Sequence, residues 1–202
     1  ASITILPCRS LMCSKPILAF VLAAIIPPIA QFEEAIFCIY SSSKLLYCIR
    51  HGIAEHNINY HKFGSSTFCD PNFTDTSLVQ EGFTQAHTLR NTWSQLKDIE
   101  LVIVSPLKRT LQTATEIFKD HNVPIIALEY SREYPLGKHT CNKRSSKELY
   151  KKHFPHINFD NLQTDQDELW LSHREETIEE LNVRIQKCKE FIVNRPETKI
   201  AF

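Results

Sequence analysis

Arg50, His51 and Gly52 follow directly after a short apolar run, so a cation and a nucleophile stand at the end of a predicted strand. An imidazole can attack an electrophilic centre through its unprotonated ring nitrogen, and a guanidinium can bind two oxygens of an anion at once. Glycine beside them lets the backbone come close to a bound group. The tripeptide therefore indicates a site for an anionic ligand.

A second basic side chain, Arg109, follows another apolar run, at 101–104, together with Ser105 and Pro106. Serine at an N-cap and proline at the first helical position predict that a helix begins here. Side chains on a helix lean toward its N-terminus, so we expect Arg109 to reach back over the helix start. Two arginines, a histidine and the free N–H groups of the helix would together satisfy a phosphate dianion.

Alternating strands and helices must position these residues. The apolar runs predict strands at 44–49, 101–104, 123–128 and 199–202, and helical periodicity predicts helices at 81–96, from Ser105 onward, at 146–153 and at 174–195. This order predicts a three-layer α/β/α sandwich with a mostly parallel sheet, in which ligands bind beyond the carboxyl ends of the strands. Residues 58–76 and much of 134–172 are irregular, and we expect loops there.

Composition limits the classes of protein that the chain can belong to. With 202 residues, 43% of them apolar, one domain with a sizeable core is expected. The formal net charge is zero and the basic residues are scattered, so the sequence predicts no nucleic-acid partner. The chain has seven cysteines, an odd number, and none of their spacings resembles a zinc site. The sequence therefore predicts neither a metal site nor a disulfide framework, although one or two disulfides would suit a secreted form.

Residues 1–43 differ in character from the rest and are expected to form an N-terminal extension, with the domain at 44–202. The apolar run at 17–26 is too short for a stable membrane span, which needs about 20 residues. With Met12 before it, the segment 12–30 suits a secretory signal, and the protein would then be secreted. The alternatives are a lead-in that stays attached to a cytoplasmic protein, a disordered segment, or a wrongly assigned start of the reading frame.

Three motifs together resemble the histidine phosphatase superfamily, the phosphoglycerate-mutase-like proteins. They are R-H-G at 50–52 with Asn57, the run D-T-S-L-V-Q-E-G-F-T-Q-A at 75–86, and S-P-L-K-R-T-L-Q-T-A at 105–114. The resemblance covers most of residues 44–202 and implies the phosphoglycerate-mutase-like fold. It also implies chemistry through a phosphohistidine that requires neither a metal nor a cofactor.

The resemblance implies a role for each site residue. His51 is the expected nucleophile, and Arg50, Arg109 and Asn57 are the expected phosphate-binding residues. Glu133, shortly before a glycine, is the expected proton donor, with Glu129 as the alternative. A buried carboxyl beside a phosphate is expected to have a raised pKa, as a general acid at neutral pH requires.

Other polar residues carry weaker expectations. The basic run 138–147 could receive a distal charge of the substrate, or could be a solvated loop. Histidines without ligand-like spacing are expected at the surface: His56, His61, His87, His121 and His139.

One feature of the family pattern is not found. The resemblance implies a second catalytic histidine at the end of the strand after the long helix, but no histidine follows His173, and we expect the sequence to stop short of it. A phosphatase acting on a small phosphorylated substrate is therefore the first hypothesis. A catalytically impaired phosphate-binding or regulatory protein and a mutase-type phosphotransferase are the alternatives. The sequence predicts neither the substrate nor the oligomeric state.

Overall fold

A computed structural model describes residues 4–6, 35–41 and 44–202, and in them seven strands form one sheet. The spatial order is β1, β2, β3, β7, β4, β5, β6, and every neighbouring pair is parallel except β2 with β3. The strands are β1 Thr4–Leu6, β2 Ala35–Ser41, β3 Lys44–Cys48, β4 Leu101–Val104, β5 Ile125–Ala127, β6 Ile157–Asn158 and β7 Lys199–Ala201.

Helices cover both faces of this sheet. They are α1 Glu55–Phe63, α2 Gln80–Thr92, α3 Lys108–Phe118, α4 Lys147–His153 and α5 Ile178–Val193. Alternate residues of β4 enter different cores, because side chains point to opposite faces along a strand. Val102 packs in a cluster with residues of α2, α3 and α4, whereas Ile103 packs in a cluster with Cys188 and Ile192 of α5. The predicted α/β/α sandwich with a mostly parallel sheet is confirmed.

Strand β7 lies at the centre of the described sheet, between β3 and β4. Ala201 is in register with Tyr47 on one side and with Val102 on the other, and Ile200 is completely buried. The strand predicted after the long helix is therefore present. The backbone N–H of Ile49 donates to the carbonyl of Phe202 over 2.7 Å, so the pairing with this segment extends past the end of β3 to Ile49, the residue before Arg50.

Two segments of the predicted N-terminal extension contribute strands. Strand β2 pairs antiparallel with β3, and β1 pairs parallel with β2. The apolar run 17–26 lies outside the described residues, as does the segment 12–30, so the signal segment stays a prediction. No helix within the described parts of the chain is long and apolar enough to cross a membrane.

The prediction of a loop at 58–76 is wrong for the first part of that region. Helix α1 spans Glu55–Phe63, and two short 3-10 turns follow at Gly64–Cys69 and Pro71–Phe73. The helix was missed because it buries a single side chain, that of His56, and therefore shows no apolar periodicity.

The predicted start of the long C-terminal helix was also early. Helix α5 begins at Ile178, because the Thr177 hydroxyl accepts from the backbone N–H of Glu180 while the Glu180 carboxylate accepts from that of Thr177. This reciprocal pair is a capping box, and it satisfies two backbone donors that would otherwise lack partners.

The predicted N-cap of helix α3 is wrong. The helix begins at Lys108, after Leu107, and the Ser105 hydroxyl is buried without a hydrogen-bond partner among the described residues. A carboxylate from a distant segment caps the helix instead: Asp75 Oδ1 accepts from the Lys108 backbone N–H over 2.8 Å. Asp75 Oδ2 also accepts from the Tyr150 hydroxyl over 2.6 Å. One of the helix N–H groups expected to face a phosphate is therefore already occupied.

Gly52 and Gly82 allow two backbones to touch. A Cβ added to Gly52 would lie 2.5 Å from the Gly82 carbonyl oxygen, and one added to Gly82 would lie 2.2 Å from that of Ile53. Gly52 was expected to let a bound group approach the backbone closely. In the structure it is the backbone at the start of α2 that approaches Gly52 closely. This contact holds the segment after β3, which carries the site, against α2.

Gly82→Ala tests this contact. In an open helix the change would stabilise the protein by up to about 1 kcal/mol, because alanine has the higher helix propensity. Here the new methyl group meets a backbone oxygen that cannot rotate away, so we expect the free energy of unfolding in urea to fall by about 3 kcal/mol. Thr84→Ala, at an exposed position of the same helix, is the control and should change it by less than about 0.5 kcal/mol. A stabilised Gly82→Ala variant would contradict the contact.

Candidate active site

His51 stands just beyond the carboxyl end of β3 with its ring held in one tautomer. Its Nδ1 lies 2.7 Å from the Gly52 carbonyl oxygen, which can only accept, so Nδ1 carries the hydrogen. Its Nε2 accepts from the Nε of Arg109 over 3.2 Å and therefore presents a lone pair. The nitrogen that could attack is thus unprotonated and lies against a guanidinium.

The surroundings keep His51 neutral. Burial is the main cause, and the positive charge of Arg109 is the second; the carboxylate of Glu133 opposes them only in part. Together they lower the pKa of His51 from 6.5 to about 4. At neutral pH the ring is therefore neutral, with a lone pair on one of its nitrogens.

Arg109 reaches back over the start of α3, as predicted, and is completely buried. Besides His51, its guanidinium donates to the carbonyl of Cys141 over 2.6 Å, to Glu133 Oε2 over 2.6 Å and to Asn142 Oδ1 over 2.9 Å. One side chain therefore ties the end of β3 to the segment after β5. Arginine suits this position because its five N–H donors are fixed in one plane.

Glu133 lies in the same cluster, with its side chain 45% exposed and ion-paired to Arg109. Withdrawal from water acts to raise the pKa of this carboxyl, but the Arg109 charge and hydrogen bond, with smaller effects of His51 and His56, lower it to about 2. The expectation of a raised pKa is therefore not met in this structure. Glu133 is ionised here because Arg109 is its partner.

Glu129, the alternative proton donor, is buried away from this cluster. Its carboxylate accepts from Arg132 Nη1 over 2.8 Å and from Arg144 Nε over 3.0 Å. Both arginines are themselves buried, and Arg132 also pairs with Asp167. Glu129 thus acts as an internal counter-ion, and Glu133 is the glutamate that the structure places beside His51.

The basic run 138–147 is not an open basic surface. Arg144 is buried on Glu129, Lys143 lies over the Trp170 ring at 4.9 Å, and Lys147 Nζ donates to the carbonyl of Leu162. Three of its four lysine and arginine side chains are therefore engaged within the protein, which leaves little charge for a distal group of a substrate.

Arg50 and Asn57 flank the central cluster. Arg50 is exposed, forms no hydrogen bond or ion pair with the residues at 44–202, and its charge contributes to the low pKa of His51. Asn57 lies in the first turn of α1, where its Oδ1 accepts from the Ala54 backbone N–H over 2.9 Å. Of the five predicted site residues, the structure joins His51, Arg109 and Glu133 directly and places the other two beside them.

His56 is the residue that the sequence-based prediction missed. It was expected at the surface but is 3% exposed, and its ring centroid lies 5.9 Å from that of His51. Burial, then the charge of Arg109, lowers the pKa of His56 to about 2. The available signal was its position beside Asn57 in the first motif.

Within the described residues, no group of three or more His, Cys, Asp or Glu side chains could hold a metal ion.

Arg109→Lys tests how far the cluster depends on one guanidinium. A lysine has a single nitrogen and would leave buried acceptors, such as Cys141 O, without a donor, at about 1–3 kcal/mol each. We expect the free energy of unfolding in urea to fall by about 3 kcal/mol or more. The control is Arg90→Lys, at a partly exposed pair with Glu116, which should cost less than about 1 kcal/mol. Equal effects of the two variants would contradict the central role of Arg109.

Comparison with known proteins agrees with this arrangement of motifs. The family model of the histidine phosphatase superfamily (branch 1) matches residues 46–202. Phosphoglycerate mutase-like protein 1 of Arabidopsis thaliana is 32% identical over 189 residues, which cover 78% of this chain and 66% of that protein. A second Arabidopsis thaliana phosphoglycerate mutase-like protein is also 32% identical over 189 residues, covering 78% of this chain and 69% of its own length. The chain thus spans about two thirds of the length of these relatives.

Solved structures share the fold. A structure from Escherichia coli, whose proposed activity is that of an alpha-ribazole-5'-P phosphatase, superposes with a TM-score of 0.52 at 18% identity. The match covers 79% of this chain and 72% of that one. With the family match over residues 46–202 and the arrangement of His51, Arg109 and Glu133, the chain belongs to the histidine phosphatase superfamily.

Proposed function

We propose that this protein is a phosphomonoesterase that acts on a small phosphorylated substrate through a phosphohistidine on His51. The observation that carries this proposal is the unprotonated Nε2 of His51, fixed by the hydrogen bond from Nδ1 to Gly52 and facing the Arg109 guanidinium. Such a nitrogen can attack phosphorus without first losing a proton, once a bound phosphate takes over the Arg109 N–H that Nε2 accepts from in this structure.

In the first step the lone pair of His51 Nε2 forms a bond to phosphorus while the bond to the ester oxygen breaks. Arg109 and Arg50 stabilise the negative charge on the phosphoryl oxygens, and Asn57 adds a neutral hydrogen bond. The leaving alkoxide takes a proton from Glu133. In the second step the Glu133 carboxylate takes a proton from the attacking water, the water oxygen bonds to phosphorus, and the electron pair of the N–P bond returns to His51 as phosphate leaves.

Glu133 must carry a proton when the ester bond breaks, although its pKa in this structure is about 2. A phosphate dianion beside it would compete for Arg109 and place negative charge near the carboxylate. Both effects raise the pKa of a carboxyl group. The substrate itself would thus convert Glu133 from the ion-pair partner of Arg109 into a general acid.

The same ion pair favours a second candidate, a phosphate-ester-binding protein with little or no turnover. While Glu133 stays ionised, no proton is available for the leaving group from this side chain. This candidate predicts that the chain binds a phosphate ester but does not hydrolyse it. A mutase-type phosphotransferase is less favoured, because the part of the chain that the structure describes shows no residues committed to holding a substrate in two orientations and excluding water.

Trapping of a phosphohistidine tests the proposal. The full chain is mixed with a ³²P-labelled phosphomonoester and quenched in alkali, in which phosphohistidine is stable. We expect label on His51 and none in His51→Ala. His153→Ala, at an exposed position of α4, is the control and should label as the parent does. Label that persists in His51→Ala would contradict the nucleophile, and binding without label would favour the second candidate.

The labelling rate should also depend on pH in a defined direction. The pKa of His51 is lowered, so the ring stays neutral as pH falls from 7 and becomes protonated near pH 4. Protonation removes the lone pair, so the contribution of His51 to the rate should be lost as pH drops through about 4 rather than through 6.5. Because a phosphate ester itself titrates at about pH 6, the check is the ¹⁵N chemical shift of His51 in the ligand-free protein, and a midpoint near pH 6.5 there would contradict the burial of His51 as the structure has it.

Glu133→Gln tests the proton donor. A general acid contributes about 100- to 10,000-fold to rate when the leaving group needs a proton. We expect kcat for an alkyl phosphate such as glycerol phosphate to fall by about 100-fold or more. For p-nitrophenyl phosphate, whose leaving group is stable as an anion, the fall should be less than about 10-fold. Equal losses on the two substrates would show that Glu133 supports binding or folding instead.

A further inference from the structure

His56 is a buried histidine for which the mechanism above has no role. It lies in the first turn of α1, 3% exposed, with its ring centroid 5.9 Å from that of His51. Both of its ring nitrogens are hydrogen-bonded. Nδ1 lies 2.6 Å from the Thr76 hydroxyl oxygen, and Nε2 lies 3.1 Å from Asn57 Nδ2.

The partners of Asn57 decide which nitrogen of His56 carries the hydrogen. The Ala54 backbone N–H can only donate, so the Asn57 atom 2.9 Å from it is the amide oxygen. The amide NH₂ therefore faces His56 Nε2, and this nitrogen must offer a lone pair. It follows that Nδ1 carries the hydrogen and donates to Thr76. A chain of hydrogen bonds thus runs from Asn57 through His56 to Thr76.

This chain of hydrogen bonds leaves one N–H of the Asn57 side chain without a partner within it. Of the two hydrogens on Nδ2, one is held by His56 Nε2, while the amide oxygen is held by Ala54. The second hydrogen is therefore fixed in direction without being used in the chain. A donor that is fixed in advance binds an oxyanion without first losing side-chain freedom.

We propose that His56 is a positioning residue that holds the Asn57 amide with its second N–H directed at the phosphoryl group. This inference rests on the proposed function, since it assigns Asn57 to the phosphate. His56 acts through Asn57 and touches no substrate. A neutral imidazole suits the position because it accepts at one nitrogen and donates at the other, whereas a protonated ring would donate at both and turn the Asn57 amide around.

The hydrogen-bond chain is tested first without any ligand. In ¹⁵N-labelled full-length protein, long-range ¹H–¹⁵N spectra distinguish the tautomers of each histidine. We expect His56 as the Nδ1–H tautomer between pH 5 and 8, and we expect the Asn57 side-chain NH₂ signals to shift in His56→Leu. An Nε2–H tautomer, or a protonated His56 in this range, would overturn the inference whatever the protein catalyses.

The second test measures the dissociation constant of inorganic phosphate by calorimetry in four proteins: the parent chain, His56→Leu, His56→Gln and Asn57→Ala. His56→Leu removes both hydrogen bonds and should weaken binding about 10-fold, as Asn57→Ala should, which corresponds to about 1.4 kcal/mol. Gln keeps an acceptor and a donor, so His56→Gln should bind within about 3-fold of the parent. Loss in His56→Gln equal to that in His56→Leu would contradict the positioning role.

A double variant separates positioning from a merely structural role. If His56 acts through Asn57, His56→Leu adds less than about 2-fold to the loss in Asn57→Ala. Additive losses would show that His56 supports the pocket in another way and would overturn the inference. The matched control is His87→Leu, which removes a similar but exposed His–Asn contact, with Asn91 on α2, and should leave phosphate binding unchanged.

The outcomes distinguish the inference from the function on which it rests. Phosphate binding with the expected coupling, but without label on His51, supports the positioning role and rejects the phosphohistidine. Label on His51 together with the Nε2–H tautomer of His56 supports the phosphohistidine and rejects the positioning role. A parent chain that binds no phosphate even at millimolar concentration contradicts both.

Discussion

The buried guanidinium of Arg109 is the interaction on which the site depends. It is completely enclosed, and its donors meet a ring nitrogen, a carboxylate, a carbonyl and an amide oxygen from three separate segments of the chain. A buried charge is tolerated only when its hydrogen bonds are satisfied and a counter-charge is near. Because Arg109 must be satisfied, His51, Glu133 and the turn at Cys141 are brought to one point.

The segment that carries Glu133 has little regular structure, and buried arginines hold it in place. Arg132 lies between Glu129 and Asp167, and Arg184 of α5 donates to Glu176 and to the carbonyl of Arg132. Removing one member of such a buried pair is costly, because the other charge is left without a partner. Buried ion pairs, rather than a helix or a strand, therefore fix the position of the loop that carries Glu133.

Arg109 also influences the charges of the proposed nucleophile and the proposed proton donor. Its positive charge lowers the pKa of His51 and, more directly, that of Glu133. The first effect helps to keep the His51 ring neutral, and the second keeps the Glu133 carboxyl ionised. A phosphate bound at Arg109 would weaken both effects, but burial, the main cause, would still lower the pKa of His51. The proposed cycle therefore needs no group other than the substrate to switch Glu133.

The sequence by itself determined the layout of the protein. Apolar runs marked the central strands, and the motifs at 50–57 and 105–114 placed His51, Arg50 and Arg109 at strand ends that meet at one edge of the sheet. These features are local, since strand and helix patterns repeat over a few residues and parallel strands end on the same side.

Only the tertiary structure decided which polar groups meet. Asp75 caps α3 from 33 residues away, where Ser105 was expected, and His56 is buried on Thr76, 20 residues along the chain, where an exposed ring was expected. The choice between Glu129 and Glu133, and the low pKa of Glu133, likewise follow from which arginine lies beside each carboxylate. Hydrogen bonds and pKa values depend on distance through space, and spacing along the chain does not determine that distance until the fold is known.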